Sequence, residues 1–480
     1  MIVGYFLIQA LLRILVGPTL TQDEAQQTLF AQELRLGYDE HPGLYTWVVH
    51  LLFRVFGTSL AVLAGVKAAQ LIALFLFTYR AVGRVAGPLA GAIASASLFL
   101  VPQIGWEMQR DLTHTLLSAA SIPATLYFLI GIAQNGRWTG YLGFSLSLAV
   151  GALAKPHTPM VGIALLLAMV SVAALRPRLR PGRLLFAILL TLLLIAPSYL
   201  WLLGNPEIAL KDIDKFGMGR AAAGSIESLW LGFFAVGQGL VSTLAIAFGA
   251  WAVATKGFTV ESSGLPLERA FLLASLIAIA GTTLAVLAMG ITELRIRYLL
   301  PTIFLPLLWA PLAYAPMLTA WRQGWPHLIL GLGGALLIMA FLIAGHRYAP
   351  AFDLTNRLQT PFVPFLEAVE RSGCQADLIL AGEEFQAGNL RMLRPDLPVG
   401  APSFQPRLAS QASRGRPDSL LAVWRSRDRA AWQRVLSMAE AMGLRLGPSE
   451  ARTVVLPVLN APKDNPDSVG FSYRCIALLP

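Results

Sequence analysis

Ile2-Val3-Gly4-Tyr5-Phe6-Leu7-Ile8-Gln9-Ala10-Leu11-Leu12-Arg13-Ile14-Leu15-Val16 leads, across Pro18, into Asp23-Glu24-Ala25-Gln26-Gln27-Thr28-Leu29-Phe30-Ala31-Gln32-Glu33-Leu34. Crossing the roughly 30 Å of bilayer hydrocarbon takes about 20 residues, so the first run is a short span. No small-residue cleavage site follows it, which makes it an uncleaved first span. The second stretch has apolar residues at helical spacing with polar residues between them, the pattern of an amphipathic helix lying in the interface. Asp23 and Glu24 therefore sit at the rim of the membrane, where charge is expensive and usually kept for function. The same pair could also cap the helix and oppose its dipole, worth about 0.3–1 kcal/mol.

The rest of the chain repeats the first run's character. Of 480 residues, 56% are hydrophobic and 13% charged, against roughly 25% charged in a soluble domain. Apolar runs fall near 2–17, 59–79, 86–104, 114–133, 138–153, 157–175, 184–203, 229–254, 269–290, 298–319 and 326–345, which predicts an α-helical polytopic membrane protein of about eleven transmembrane helices. The formal charge of +10 is scattered through short loops, so it reads as membrane topology and not as a nucleic-acid surface. With the N-terminus inside, the inner loops hold Arg80, Arg84, Arg137, Arg176, Arg178, Arg180, Arg183, Lys256, Arg269 and Arg322, in keeping with the positive-inside rule.

That orientation puts the unusual polar residues together on the outer face. They are Asp23, Glu24, Asp39, Glu40, His41, Glu107, Arg110, Asp111 and His114, then Lys155 and His157, then Glu293, Arg295, Arg297 and Tyr298. Lys155 lies between two apolar runs that would bury it unless something anionic faces it. Arg295 and Arg297 stand against the topological rule, which suggests a phosphate ligand. A carboxylate can deprotonate an acceptor hydroxyl, while cations neutralise a phosphate whose charge grows as it leaves. In a helical turn Asp111 and His114 become neighbours, and with Glu24 they are candidate ligands for a divalent metal.

After residue 346 the hydropathy falls to that of a soluble α/β domain, spanning 346–480 beside a transmembrane domain of 1–345. Helices are predicted over Phe362–Arg371 and Ala430–Met442, and strands over Asp377–Ala381, Ser419–Trp424 and Thr453–Leu459. Arg414-Gly415-Arg416 and the Arg425–Arg429 cluster read as solvated basic surface. Cys374 and Cys475 are the two cysteines of the chain; they could form one bridge if their domain lies in an oxidising compartment.

The order of the outer Asp-Glu pair, Tyr38-Asp39-Glu40-His41-Pro42-Gly43-Leu44-Tyr45-Thr46-Trp47, Arg110-Asp111-Leu112-Thr113-His114, Gly151-Ala152-Leu153-Ala154-Lys155, Ala196-Pro197-Ser198-Tyr199 and Arg297-Tyr298-Leu299-Leu300-Pro301 resembles glycosyltransferase family 39. That family holds the protein mannosyltransferases and lipid A aminoarabinose transferases of the GT-C fold. The likeness covers about residues 1–345. It implies an inverting transferase that moves a sugar from a polyprenyl-phosphate donor to a lipid, polysaccharide or protein acceptor at the periplasmic face. Carried over residue by residue, Asp23 matches the family's catalytic acid, Lys155 its donor-phosphate lysine, and Arg297 with Tyr298 its Arg-Tyr contact. The chain departs from the pattern at His41-Pro42-Gly43-Leu44, where many members have Pro-Pro-Leu. It departs again at Leu112-Thr113-His114, where Leu-Thr-Asp is frequent: either Asp111 replaces that carboxylate from the previous turn, or His114 supplies a different ligand. The expected site is thus Asp23, Glu24 and Asp111 for catalysis, with Lys155, Arg295, Arg297 and Tyr298 for the donor phosphate. A lipid or sugar transporter is the alternative reading, but its charges should lie near the midplane of repeated halves, and no internal repeat is seen.

Overall fold

The computed structural model describes residues 1–209, 211, 213–218, 224–254, 264–313, 321–348, 357–407, 417–461 and 467–479. Lys256 and the Arg414-Gly415-Arg416 cluster lie outside the described residues. The apolar runs become the helices Ile2–Val16, Leu60–Ser97, Thr113–Asn135, Trp138–Ala154, Pro159–Ser171, Pro181–Gly204, Ile226–Ala254, Pro266–Ala288, Leu300–Ala313 and Trp321–Tyr348. Among the described residues, six helices are long and apolar enough to cross a membrane, and five shorter ones are also apolar. The chain is a multi-pass membrane protein.

Two expected spans, 59–79 and 86–104, share the Leu60–Ser97 helix, which is broken at Gly87 (φ 88°, ψ 164°) just ahead of Pro88. Only glycine takes that φ without strain, and the proline has no N–H to continue the ladder. The chain reverses there. The Ser95 hydroxyl donates to the Phe75 carbonyl at 3.1 Å, and a Cβ at Gly91 would come within 2.4 Å of the Tyr79 carbonyl. The two arms therefore lie against each other as a pair.

Contacts divide the chain into two compact units that are discontinuous in sequence: Met1–Phe6, Glu40–Tyr45 and Lys67–Met339 in one, Leu7–Asp39, Thr46–Val66 and Ala340–Pro480 in the other. In the first, small residues let helices approach closely, as they must where lipid offers no hydrophobic drive between helices. A Cβ on Gly143 would strike the Phe128 ring at 2.2 Å, and one on Gly151 would meet Ser121 Oγ at 2.4 Å. Buried hydroxyls tie the same helices: Ser118 to Thr158 at 2.7 Å, Thr125 to Ser147 at 3.0 Å and Thr191 to Ser145 at 3.1 Å. The Thr113–Asn135 and Trp138–Ala154 helices are thereby held side by side.

The second unit contains the sheet. Strand Leu378–Ala381 pairs in parallel with Val399–Gly400 on one side and Ser419–Arg425 on the other. Ser419–Arg425 then pairs antiparallel with the long strand Ser468–Leu479, which also takes Arg445–Leu446 and Arg452–Pro457. Leu380, Leu420, Ala422 and Ile476 meet Val435 and Met438 of helix Ala431–Ala441 in the core. Truncating one of the larger members to alanine would cost about 2–5 kcal/mol. Helix Phe362–Arg371 has the expected bounds. Cys374 and Cys475 are joined in a disulfide.

The amphipathic stretch forms helix Gln22–Phe30, seated on helix Glu384–Leu393. Gly388 makes that seat, because a Cβ there would lie 2.0 Å from the Ala25 carbonyl. Asn389 Oδ1 accepts the Leu20 N–H at 2.8 Å, Gln26 Nε2 donates to Glu384 at 3.0 Å, and Gln32 bonds both the N–H and the C=O of Val399. The juxtamembrane helix is thus built into the second unit by side-chain and backbone hydrogen bonds.

Candidate active site

Asp23 and Glu24 open helix Gln22–Phe30. Thr21 and Glu24 form a capping box, each side chain bonded to the other's backbone N–H, which satisfies two of the helix's orphan donors. Glu24 also takes both Nε (3.3 Å) and Nη2 (2.6 Å) of Arg13 and is 1% exposed. A carboxylate buried so deeply needs such a partner. Asp23, its neighbour, is half-buried.

The first unit gathers most of the other candidates. Lys155 follows the last residue of helix Trp138–Ala154, where its charge opposes the negative end of the helix dipole. It is 6% exposed. Its Nζ lies 5.1 Å from the centre of the Tyr298 ring, and the Arg297 guanidinium 5.4 Å from the same ring. Phe216 and His157 complete the surroundings, with ring centroids 5.1 and 6.1 Å from that of Tyr298. Phe216 is held there because its carbonyl accepts the N–H groups of both Thr292 and Glu293 at 3.1 Å. Two cations against one ring gain cation–π attraction, but they also repel each other. Arg297 Nε is buried with no hydrogen-bond partner among the described residues, so this cluster still has donor capacity to spend. Arg295, two residues before Arg297, is exposed.

His41 ties this cluster to the next. Its ring stacks on that of His114 at 4.4 Å, and Tyr45 lies 5.2 Å from His114 on another side. Burial holds the His41 imidazole well below its usual range, and the charges of Lys155, Arg297 and Lys215 push it further down. It is therefore neutral, and Glu40 Oε1 at 3.7 Å from its Nε2 makes no ion pair with it. His157 is pushed down to about 3, by burial first and Lys155 second. Burial raises the Glu107 carboxyl, against the pull of Arg110 and Arg297. Cations, neutral imidazoles and a reluctant carboxylate thus share one region.

Asp111 and His114 come from a strained turn. The π-helical turn Gln103–Glu107 and the short helix Met108–Arg110 end in Asp111 with extended φ (−144°). Leu112 is left-handed (φ 65°, ψ 53°), and helix Thr113–Asn135 begins without a side-chain cap. A left-handed leucine costs roughly 1–2 kcal/mol, and such strain persists where the surroundings hold it, often at functional sites.

A family described as dolichyl-phosphate-mannose-protein mannosyltransferase matches residues 40–201. The lipopolysaccharide core galacturonosyltransferase RgtB of Rhizobium johnstonii is 30% identical over 492 aligned residues, covering 98% of this chain and 96% of its own. The chain belongs to the GT-C glycosyltransferases. A second galacturonosyltransferase of that organism, RgtA, is 28% identical with the same coverage. The crystal structure of ArnT from Cupriavidus metallidurans bound to undecaprenyl phosphate superposes on this GT-C glycosyltransferase with a TM-score of 0.58 at 13% identity, covering 98% of this chain and 97% of ArnT. The apo form of ArnT gives a TM-score of 0.55 at 14% identity.

Of the candidate metal ligands in this transferase, Asp111 and His114 come from one turn, whereas Glu24 belongs to the second unit. Among the described residues no three of His, Cys, Asp or Glu form a group that could hold a metal. His114 presents a ring face to His41, and the charges around His41 are cationic. The residues present do not fit a divalent ion. Reading the sequence alone missed Lys215, and it assigned His41 no role. Both become visible only through the loops that carry Lys155 and Arg297. Lys67, inside an apolar run, was missed as well.

Proposed function

We propose that this glycosyltransferase moves a uronic acid of the galacturonosyl kind from a polyprenyl-phosphate donor to a glycolipid acceptor of the lipopolysaccharide core class, at the periplasmic face of the bacterial inner membrane. Two galacturonosyltransferases matching nearly the whole chain support the sugar and acceptor. The observation that carries the donor class is the pair Lys155 and Arg297 set on Tyr298, a cationic site suited to a phosphate. Residues 1–345 would hold the transfer machinery, and 346–480 the periplasmic domain.

The chemistry is a single displacement. The acceptor oxygen attacks the anomeric carbon as the bond from that carbon to the phosphate oxygen breaks, so the configuration inverts. The bonding electrons leave on the polyprenyl phosphate, where Lys155, Arg297 and Arg295 neutralise the growing charge. The acceptor proton passes to the Asp23 carboxylate. Glu24, engaged with Arg13 and the Thr21 N–H, holds the helix that carries Asp23, and Asp111 shapes the site.

Membranes supplied with radiolabelled polyprenyl-phosphate galacturonate and a core glycolipid lacking that sugar should label the glycolipid, while a neutral hexose donor should not. Labelling by hexose alone would overturn the sugar, and no labelling from any polyprenyl donor would overturn the donor class. Asp23→Asn should abolish transfer with membrane insertion intact; an active variant removes Asp23 from the mechanism. The periplasmic placement is supported by the Cys374–Cys475 disulfide, since such bonds persist in oxidising compartments. A membrane-impermeant thiol reagent should label both cysteines in cells with a permeable outer membrane, but only after reduction.

A further inference from the structure

Lys67 lies in the first arm of the Leu60–Leu100 candidate span and is 7% exposed. An ionisable side chain inside a span is costly and generally retained for a purpose. Its Nζ donates at 2.9 Å to the backbone carbonyl of Arg110, the last residue before Asp111 and the left-handed Leu112. The same segment is tied from its other side: the Tyr5 hydroxyl reaches both Gln109 Oε1 and the Ala335 carbonyl at 3.0 Å. The strained turn is therefore gripped immediately ahead of the strain, by an ammonium that brings more electrostatic strength than a neutral donor would.

We propose that Lys67 is a positioning residue for sugar transfer: by bonding the Arg110 carbonyl it fixes the Leu112 turn and so aims the Asp111 carboxylate and the His114 ring. The inference rests on the reading that Asp111 belongs to the active site. Lys67 touches neither sugar nor phosphate in this role. Its loss should slow the chemical step and leave donor binding alone.

The test is steady-state transfer by full-length enzyme in membranes, comparing Lys67→Met, Lys67→Arg, Asp111→Asn and the Lys67→Met/Asp111→Asn double variant. Lys67→Met should lower kcat by about 10- to 100-fold, the scale of a misplaced reacting group, with donor KM within about twofold of wild type. Lys67→Arg, which keeps a charged donor, should recover part of the loss. In the Asp111→Asn background, Lys67→Met should cost nothing further, because residues acting as one unit are non-additive. Wild-type kcat in Lys67→Met, with Asp111→Asn impaired, overturns the inference. Fully additive losses overturn it too, by giving Lys67 a role apart from Asp111. A fully active Asp111→Asn instead overturns the reading of Asp111 on which the inference rests. Should Lys67→Met fail to accumulate, Leu112→Gly loosens the same turn while keeping the lysine. Its kcat should fall about tenfold, and an unchanged kcat overturns the proposal.

Discussion

The helical unit carries two cationic ends joined by the same pair of helices, and they behave oppositely. At the start of helix Trp138–Ala154, Arg84 donates to Gln134 (2.6 Å), Arg183 donates to the Gly136 carbonyl (2.7 Å) and its guanidinium covers the Trp138 ring (4.8 Å). Arg84, Arg137, Arg176, Arg178 and Arg180 there are exposed. At the far end of that helix, about 25 Å away by its rise per residue, Lys155 is buried, and Arg297 keeps a donor unmet among the described residues. Exposed arginines bonded to carbonyls are already in a low-energy state in water, so they require no ligand. Cations crowded on one aromatic ring, with neutral histidines around them, repel each other and gain stability when an anion arrives. Equal charge thus does unlike work, decided by solvent and by which partners are already present.

The largest effect should come from breaking the buried end. Lys155→Met with Arg297→Met should lower kcat/KM for the donor by about 10²–10³-fold, the scale of losing oxyanion-type stabilisation, with normal amounts of protein in the membrane. A loss below tenfold in labelled-donor assays would show that the buried end is no more specialised than the exposed one. Replacing Arg176, Arg178, Arg180 and Arg183 together by Ala should do the reverse: a fraction of molecules should insert with altered topology, seen by protection of single reporter cysteines. Correctly inserted molecules should transfer at the wild-type rate, and a large fall in their rate would erase the distinction.

Acid should separate the ends by a smaller margin. The His157 and His41 imidazoles are held neutral in the folded protein, while in the unfolded chain each titrates near 6.5. The unfolded state therefore binds more protons below that value, and stability falls as the pH drops from 7 to 5. The fall is on the order of 1–2 kcal/mol per histidine by linkage. His157→Asn should flatten the dependence of detergent melting temperature on pH in that window, whereas Arg183→Ala should shift the whole curve without changing its slope. An unaltered slope in His157→Asn would mean that this imidazole is not held neutral.

Much of the fold was legible in the chain, for reasons that differ by element. The spans were readable since each apolar residue contributes to membrane transfer on its own, whatever its neighbours. Helix Phe362–Arg371 was found because Phe362, Phe365, Leu366 and Val369, all buried, follow the helical period. Helix Glu384–Leu393 escaped because its buried face includes Gln386 and Asn389, which break the apolar pattern. Strand Ser468–Leu479 escaped too, although it pairs with three other strands and its Phe471, Tyr473 and Cys475 alternate with Ser472 and Arg474. The reversal at Gly87 falls inside the run expected over 86–104, because apolar residues on both sides of the Gly-Pro pair hide the break.

By itself the sequence determined the membrane class, the spans, the charge asymmetry and the list of polar residues from which a site could be drawn. All of these are sums or periodicities over residues taken one at a time or in local windows. Only the tertiary structure decided that Glu24 serves Arg13 and a helix cap, that His41 stacks on His114, that Lys155 and Arg297 share Tyr298, and that a buried Lys67 grips the turn before Asp111. Such meetings depend on contacts between segments far apart in the chain, where close packing, kinks and hydrogen-bond geometry choose the partners and no local pattern records the choice.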